Sequence, residues 1–497
     1  MNYIITNRED YFKGYNFCNL EEVVLPDKIA IDTESDGLKC IHTKTGFKGA
    51  TLFAIQIGTG SNNYLFDLEG GIDPKDILKL CKGKILVLQN AMFDLRFFFK
   101  HGFIPYKVLD TMLASKILYN GGKDGVYTHN FGAIMKRELG ITYDKQNQKR
   151  IAYIKLSNNS VIQYCFNDVD KLLKLEQVLA NKLRANSQYE AYVVQSDATL
   201  PLAYMEMCGM PLSSDRWLSK IKKDEKDLLD VEESLKIYII SKFDEYRVKQ
   251  MDLFSSEVKL SLNLNSAKQM IPVFEKLDIN ILDDKGKKSL NDKVTARSSK
   301  HEFVKMWRRR QKIQKALSTF GYGILDKAIE GRIYTSFNPM VDTSRISCRK
   351  GGINFLNFPR NKATRMSFLA NEGFLMVGAD YSNQEVFCGG DLHHDAATLK
   401  SILDGDCLHC AFARVLYPEL KNLSDKVIIL PFLLAITHPY LIEIQTFKAS
   451  IVTLALSNYL SLGIIGTALF FDSDIKLNGL GCLLVVYALS ALLVCAH

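Results

Sequence analysis

A short apolar run that ends in two acids is the feature that most constrains the fold of this chain. Ile29, Ala30 and Ile31 indicate a buried β-strand, and Asp32-Thr33-Glu34 follows directly. Since residues i and i+2 of a strand share a face, the carboxylates of Asp32 and Glu34 can reach one point, whereas Thr33 faces the other way. An isolated pair of this kind is usually a solvated strand end, so its meaning depends on the other acids of the chain.

Two further acids lie in contexts that direct a carboxylate toward the same pocket. Asp94 follows Asn90 by four residues, in a run that changes from a strand-like to a helix-like pattern, and Asp168 follows Tyr164 by four residues. Mg²⁺ and Mn²⁺ prefer carboxylate oxygens, and four converging carboxylates repel one another without cations. Two divalent ions about 3.5–4 Å apart can clamp the attacking and leaving oxygens of a phosphodiester. The four acids therefore predict a nuclease site with two Mg²⁺ or Mn²⁺ ions.

In order, context and spacing, these residues resemble the three exonuclease motifs of the DnaQ-like 3′→5′ exonucleases, in particular the proofreading domain of family A DNA polymerases. The resemblance implies that Asp32 bridges both metals and that Glu34 and Asp168 complete the metal site on the nucleophile side. It implies that Asp94 holds the second metal, partly through water, and that Tyr164 orients the attacking water.

The same resemblance implies contacts to the single-stranded 3′ end of DNA. Leu38 falls where the family places an apolar wedge beside the terminal base, and Asn90 falls at the polar position that supports the second motif.

Changes in pattern predict a multidomain chain of the α/β and α+β classes. Residues 1–190 alternate strand-like and helix-like segments, which predicts a mixed sheet, and the resemblance makes this an RNase H-like exonuclease domain. Residues 191–330 are rich in Lys, Glu and Leu at helical spacing and resemble the helical thumb that grips a primer–template. Residues 331–423 resemble part of a polymerase palm, and residues 424–497 form a hydrophobic tail.

Local patterns predict individual elements within these regions. In the first region we expect strands at 51–57 and 63–66, adjacent to the Asp32 strand, and helices at 93–100 and 110–118. In the second we expect a long amphipathic helix at 224–249, a helix N-cap at Ser266, and contacts from the basic run 308–312 to a duplex backbone.

The palm-like region carries residues that the resemblance assigns to the primer and template. Arg345, in Thr343-Ser344-Arg345-Ile346-Ser347, matches the family arginine that contacts minor-groove acceptors, which are nearly the same on every base pair. Asn357 and Arg365 match further DNA-binding positions.

An apolar run at 374–378 followed by Asp380 matches the polymerase motif A. Here the resemblance implies that Asp380, at a strand end, ligates catalytic Mg²⁺. It implies that Tyr381 and Glu385 bind the incoming nucleotide, with Glu385 as the steric gate against a ribose 2′-OH.

The match to the family stops soon after residue 409. Residues 424–497 contain neither the fingers helix of the form Arg-x-x-x-Lys that binds a dNTP nor the His-Asp-Glu turn that bears the second metal-binding carboxylate. We therefore expect a polymerase truncated in its palm, whose activity requires the missing part to be supplied by splicing or by a second polypeptide.

The tail itself has segments at 449–471 and 477–496 without any charged residue, and 427–442 is also apolar. Three explanations stay open: an interrupted reading frame, a membrane anchor, and an unusual buried element. We expect no membrane partner.

Bulk properties agree with a polyanionic partner and a reducing compartment. The chain has 497 residues, a formal net charge of +8 and 11 cysteines, of which only Cys407 and Cys410 have the spacing of a CxxC pair. We predict a cytoplasmic, bacterial or phage-type family A DNA polymerase with a 3′→5′ proofreading exonuclease, acting in DNA replication. Its expected partners are a primer–template, a single-stranded 3′ end and, if the polymerase site is completed, dNTP and Mg²⁺. The alternatives are a stand-alone 3′→5′ DNA exonuclease and a membrane-tethered DNA-binding protein.

Overall fold

The apolar run around Ile29 forms the strand at the heart of a seven-stranded sheet. A computed structural model describes residues 1–120, 127–143, 155–157, 159–252, 255–349, 352–381, 384–405, 407, 410, 411 and 414. The strands of the first part of the chain are β1 (Asn2–Ile5), β2 (Asn16–Phe17), β3 (Lys28–Ser35), β4 (Cys40–Thr43), β5 (Gly46–Gly49), β6 (Leu52–Gly58), β7 (Asn63–Asp67), β8 (Ile85–Leu88) and β9 (Lys107–Asp110).

The sheet is mixed, as predicted, and its order is β2-β1-β7-β6-β3-β8-β9. Strand β3 pairs antiparallel with β6 and parallel with β8, and β8 pairs parallel with β9. The carboxyl ends of β3, β8 and β9 therefore lie at one edge of the sheet, which is where ligand-binding groups of such sheets gather. The hairpin β4–β5 forms a separate two-stranded sheet.

Helices cover both faces of this sheet. They are α1 (Pro74–Leu80), α2 (Met92–Lys100), α3 (Thr111–Leu118), α4 (Phe131–Leu139), α5 (Asn159–Asp170), α6 (Leu172–Ala185), α7 (Tyr189–Asp197) and α8 (Thr199–Cys208). Ile29 and Ile31 pack with α1, α2 and α8 in one apolar cluster, and Ala30 packs with α3, α4 and α6 in another. Alternation along β3 thus sends consecutive side chains to different helical layers.

The second part of the chain is mainly helical and then irregular. Its elements are β10 (Met210–Pro211), α9 (Ser214–Lys242), β11 (Arg247–Asp252), β12 (Ser255–Leu260), α10 (Ala267–Lys276), α11 (Asp292–Thr295), α12 (Glu302–Phe320), α13 (Tyr322–Asp326), β13 (Arg332–Ile333), β14 (Phe337–Asn338), β15 (Ser347–Cys348), α14 (Lys362–Arg365), α15 (Gln384–Leu392) and α16 (Ala396–Leu403).

The long amphipathic helix predicted at 224–249 is displaced toward the N-terminus. Helix α9 begins at Ser214, because the side chain of Ser213 accepts a hydrogen bond from the backbone N–H of Arg216 and caps the helix. It ends at Lys242, and residues 247–249 pair with 258–260 in the β11–β12 hairpin. The predicted bounds were therefore wrong at both ends. Ser266 is the N-cap of α10, as predicted, although its side chain makes no capping hydrogen bond.

The basic run on α12 is largely occupied by internal ion pairs, which corrects the expectation that all three arginines contact DNA. Arg310 is only 2% exposed, and its Nε lies 2.7 Å from Glu232 Oε1. The same guanidinium donates to Asn265 Oδ1 at 2.6 Å. Arg308 pairs with Asp292, and Arg309 pairs with Asp227 while its side chain stays 61% exposed. Arg310 is therefore a structural residue, not a DNA contact.

The apolar run of motif A does not form the predicted strand in the structure. Residues 374–380 are irregular, and the side chain of Leu375 is 86% exposed. A strand needs a neighbour for its backbone hydrogen bonds, and within the described part of the chain no strand pairs with this segment. The expectation that Asp380 lies at a strand end is wrong for this structure.

The segment at 330–349 packs directly on the sheet domain. The backbone N–H of Phe337 donates to the carboxylate of Glu206, and Lys116 Nζ donates to Asn338 Oδ1 at 3.1 Å and to the carbonyl of Met340 at 3.0 Å. The palm-like segment and the sheet domain thus share a hydrogen-bonded contact.

No helix among the described residues is both long enough and apolar enough to cross a bilayer. The apolar segments at 427–442, 449–471 and 477–496 lie outside the described residues.

Replacing Arg310 by Met tests the buried ion pair. We expect a loss of about 1–3 kcal/mol of unfolding free energy, because a buried guanidinium is removed and Glu232, Asn265 and the carbonyl of Leu264 lose a charged donor, although water still reaches Asn265 and part of Glu232. The measurement is urea unfolding followed by tryptophan fluorescence, since Trp307 lies one turn away with its ring 5.6 Å from the Arg310 guanidinium carbon. Arg309→Met is the matched control, with an expected loss below about 0.5 kcal/mol; equal losses in the two variants would contradict the assignment.

Candidate active site: a buried carboxylate cluster

Three of the four predicted acids converge in the structure. The carboxylate oxygens of Asp32, Glu34 and Asp168 lie within 4.8 Å of one another. Asp32 and Glu34 share a face of β3, and α5 packs on β3 and β6 and brings Asp168 to that face. Three carboxylates at this separation form an oxygen-rich donor set, which fits a divalent cation of the Mg²⁺ or Mn²⁺ type.

Asp94 is held beside this cluster by a neighbour of the strand acids. It lies in the first turn of α2, is 1% exposed, and its Oδ1 accepts a hydrogen bond of 2.6 Å from the hydroxyl of Thr33. Thr33 and α2 are on the same side of β3 because Thr33 alternates with Asp32 and Glu34. The alternation was predicted, but this contact was not. Asp94 is not among the three carboxylates that lie within 4.8 Å of one another.

Burial and mutual repulsion favour the protonated forms of these acids. Burial raises the pKa of Asp32 well above its usual range, and the charges of Asp168, Asp94 and Glu34 raise it further. Burial likewise raises the pKa of Glu34, as do the charges of Asp168 and Asp94. Burial raises the pKa of Asp94 to about 7, although the hydrogen bond from Thr33 opposes that shift. A bound cation would remove the cause of the repulsion.

Two tyrosines flank Asp168. Tyr164 lies one turn before it on α5, as the sequence spacing predicted, and the hydroxyl of Tyr143 donates a hydrogen bond to Asp168 Oδ1. The rings of Tyr143 and Tyr164 meet edge to face at 6.0 Å, and that of Tyr143 packs against Phe131 at 4.9 Å. Burial first, and then the charge of Asp168, raise the pKa of both phenols, so both remain protonated donors at neutral pH.

Tyr143 had not been singled out from the sequence. Tyr143 lies 25 residues before Asp168 in the sequence, and no motif links the two residues. The ring contacts of Tyr143 with Phe131 of α4 and Tyr164 of α5 accompany the bond that brings them together.

The predicted DNA-contact residues of the first domain lie outside regular elements, Leu38 after β3 and Asn90 between β8 and α2. Leu38 is 77% exposed, as an apolar side chain that meets a ligand would be. Asn90 has a left-handed backbone with φ of 64°, and its Oδ1 accepts a hydrogen bond of 3.3 Å from Arg349 Nη2. This bond joins the palm-like segment to the turn before α2.

The predicted polymerase-side residues are exposed, apart from the half-buried Glu385, and do not form a comparable cluster. Arg345 Nη2 lies 3.2 Å from Glu385 Oε1, so these two predicted residues form an ion pair. Asp380 is exposed, as are Tyr381, at 53%, and the DNA-contact candidates Asn357 and Arg365. Within the described ranges, Asp380 belongs to no group of acids, histidines or cysteines able to hold an ion.

Family models match both parts of the chain. The model described as 3′-5′ exonuclease matches residues 13–184, and the model described as DNA polymerase family A matches residues 240–425. The chain belongs to the family A DNA polymerases that carry a 3′→5′ exonuclease domain.

Relatives from a bacterium and a phage are similar to most of this chain. DNA polymerase I of Aquifex aeolicus is 25% identical over 413 residues, which cover 78% of this chain and 65% of the relative. The DNA polymerase of Mycobacterium phage D29 is 21% identical over 444 residues, which cover 80% of this chain and 66% of the relative. The chain thus spans about two thirds of the length of these two relatives.

A solved structure shares the fold. The polymerase domain of Pol1 from M. smegmatis, in a complex with DNA primer-template and dNTP, superposes with a TM-score of 0.60 at 16% sequence identity. The match covers 94% of this chain and 82% of that one.

The raised pKa of Asp94 predicts how cations change stability with pH. Between its ordinary 3.8 and about 7, the folded protein binds more protons at Asp94 than the unfolded chain does. The cation-free protein therefore loses stability as pH rises through that window, and a cation that neutralises the carboxylates offsets the loss.

We expect Mg²⁺ to raise the melting temperature more at pH 8 than at pH 5, measured by differential scanning fluorimetry against an EDTA-treated sample. In Asp94→Asn the difference between the two pH values should shrink. A Mg²⁺ effect that is the same at both pH values would contradict the electrostatic account.

Proposed function

We propose that this chain is a 3′→5′ DNA exonuclease whose metal ligands are Asp32, Glu34, Asp94 and Asp168. The observation that carries the proposal is the convergence of three carboxylates from β3 and α5 within 4.8 Å. Their raised pKa values support it, because such a cluster is electrostatically unfavourable until cations bind. The match of residues 13–184 to a 3′-5′ exonuclease model supports the direction of hydrolysis.

The side chains have distinct parts in the reaction. Asp32, Glu34 and Asp168 provide oxygen ligands on one side of β3, and Asp94 provides one from α2. Two bound divalent cations would supply an activated water and stabilise the leaving oxygen. The water oxygen attacks the terminal phosphorus, the bond from phosphorus to the 3′ oxygen of the preceding nucleotide breaks, and a deoxynucleoside 5′-monophosphate leaves.

The tyrosines hold protons at stated atoms during this reaction. The hydroxyl of Tyr143 stays protonated and donates its hydrogen bond to Asp168 Oδ1, which fixes the orientation of that carboxylate. Tyr164, packed against Tyr143 and protonated at neutral pH, would orient the attacking water, as the family resemblance implies. Neither phenol serves as a base, because burial beside carboxylates disfavours its ionised form.

The substrate we propose is the single-stranded 3′ end of a primer–template. Leu38, which is exposed and follows the strand acids in sequence, would contact the terminal base, and Asn90, in the turn before α2, would contact the DNA and support the second motif. The net charge of +8 favours a polyanion. The structural relative was solved with DNA primer-template and dNTP, which supports this class of partner.

For the rest of the chain we propose the organisation expected from its sequence. Residues 1–190 form the exonuclease domain, 191–330 a thumb that contacts duplex DNA, and 331–423 part of a polymerase palm. Arg309, the most exposed arginine of the α12 run, is the member placed to reach a phosphate. Relatives from bacteria and a phage favour the cytoplasm of a bacterial or phage-infected cell.

DNA polymerisation in replication is the second candidate function, favoured by the match of residues 240–425 to the family A model. In our proposal Asp380 ligates Mg²⁺, Tyr381 and Glu385 bind the nucleotide, and Arg345, Asn357 and Arg365 bind DNA. These roles require a fingers helix and a second palm carboxylate, which a second polypeptide would supply. The Arg345–Glu385 ion pair must then open to free both groups.

Replacing Asp32 by Ala tests the nuclease directly. A 5′-labelled primer–template with Mg²⁺ should be shortened by the wild type and left intact by Asp32→Ala, since Asp32 is the acid proposed to touch both cations. DNA affinity, measured by fluorescence anisotropy, should change by less than about threefold, because most binding energy comes from phosphate contacts elsewhere.

Asp170→Ala is the matched control. It lies on α5 two residues after Asp168, pairs with Lys171 and lies outside the cluster, so its nuclease activity should match the wild type. Full activity in Asp32→Ala would refute the proposed site. With all four dNTPs present we expect shortening alone, and extension would show that this chain completes its own polymerase site.

A further inference from the structure

Asp110 is a buried carboxylate to which the proposed reaction assigns no part. It ends β9, is 0% exposed, and caps α3 by accepting a hydrogen bond of 2.8 Å at Oδ1 from the backbone N–H of Met112. A carboxylate at a helix N-cap is common, and this bond alone would explain its presence. Its other hydrogen bonds reach a second element of the domain.

The remaining bonds of Asp110 reach a turn about 20 residues earlier in the chain. Its Oδ1 also accepts from the backbone N–H of Asn90 at 3.0 Å, and its Oδ2 accepts from that of Ala91 at 2.9 Å. Two of the three N–H groups thus belong to the connection between β8 and α2. Bonds to an ionised acceptor in a buried site are among the stronger ones in a protein.

This turn sets the start of the helix that carries Asp94. Asn90 takes a left-handed conformation with φ of 64°, which asparagine tolerates better than most residues other than glycine, and in this conformation its backbone N–H donates to Asp110. Ala91, the residue before α2, has no side chain with which to cap the helix. The bonds from two consecutive backbone N–H groups to Asp110 therefore help to hold this turn, beside the bond from Arg349 to the Asn90 side chain, and Asp94 follows three residues after Ala91.

We infer that Asp110 is a positioning residue of the exonuclease, which fixes the turn before α2 and so places Asp94 for binding a divalent cation. The inference rests on the proposed function. Asp110 acts from the N-terminal side of α2, and Thr33 holds the Asp94 carboxylate from β3 at 2.6 Å. Two supports of this kind let one carboxylate keep its place when its neighbours change charge.

The variant Asp110→Ser removes the hydrogen bonds to the turn before α2 while keeping the cap of α3. Serine is as good an N-cap as aspartate, so α3 keeps its bond at Met112, but the shorter side chain cannot also reach Asn90 and Ala91. Asp73→Ser is the matched control, because Asp73 caps α1 by accepting from the Lys75 N–H at 2.8 Å and bridges to no other element among the described residues.

The readout is Mn²⁺ binding by the full chain, titrated by electron paramagnetic resonance, together with the Mg²⁺ dependence of nuclease activity. We expect Asp110→Ser to weaken one of two Mn²⁺ sites about tenfold or more and to raise the half-saturating Mg²⁺ equally, since loss of a group that orients a ligand has effects of that size. KM for single-stranded DNA should stay within about twofold, and Asp73→Ser should match the wild type in every readout.

Asp110→Asn is a second, more conservative variant, for the case in which Asp110→Ser does not fold. Its amide has one acceptor oxygen, so at least one of the three N–H groups meets a donor, and a smaller shift in the same direction is expected. Tight binding of two Mn²⁺ ions by both Asp110 variants would overturn this inference alone. A wild type that binds no Mn²⁺ and cuts no DNA would overturn the proposed function as well.

Discussion

Strand β3 places two carboxylates in a part of the sheet that is paired on both sides and covered on both faces, and the rest of the site depends on that constraint. It is hydrogen-bonded on both sides, to β6 and β8, and helices cover both of its faces. Asp32 and Glu34 therefore meet Asp168 of α5 in a place with little water, where repulsion and burial raise the pKa of both strand acids. Divalent cations are the counter-charge that makes such an arrangement favourable.

The parallel part of the sheet explains why residues distant in sequence serve one site. Strands β3, β8 and β9 end at the same edge, and each contributes there: β3 its acids, β8 the turn that leads to Asp94, and β9 the carboxylate of Asp110. Arg349 reaches the same turn from the palm-like segment through Asn90. The edge thus joins the proposed nuclease to the part of the chain that matches a polymerase.

Local patterns were sufficient to predict the mixed sheet and the shared face of Asp32 and Glu34, because strand alternation acts over a few residues. The approach of Asp168 was expected from the family resemblance. Local patterns could not predict contacts between distant segments. The bonds of Thr33 to Asp94 and of Tyr143 to Asp168 depend on how helices pack on the sheet. Arg310 shows the same limit. A basic run on an amphipathic helix does not reveal that Arg310 is buried and donates to Glu232 and Asn265.

The account depends on cations binding where the carboxylates converge, and anomalous diffraction from crystals grown with Mn²⁺ measures this most directly. The account predicts two anomalous peaks about 3.5–4 Å apart, one among Asp32, Glu34 and Asp168 and one that also contacts Asp94. An absence of peaks at this edge of the sheet, in crystals that bind Mn²⁺ elsewhere, would contradict it.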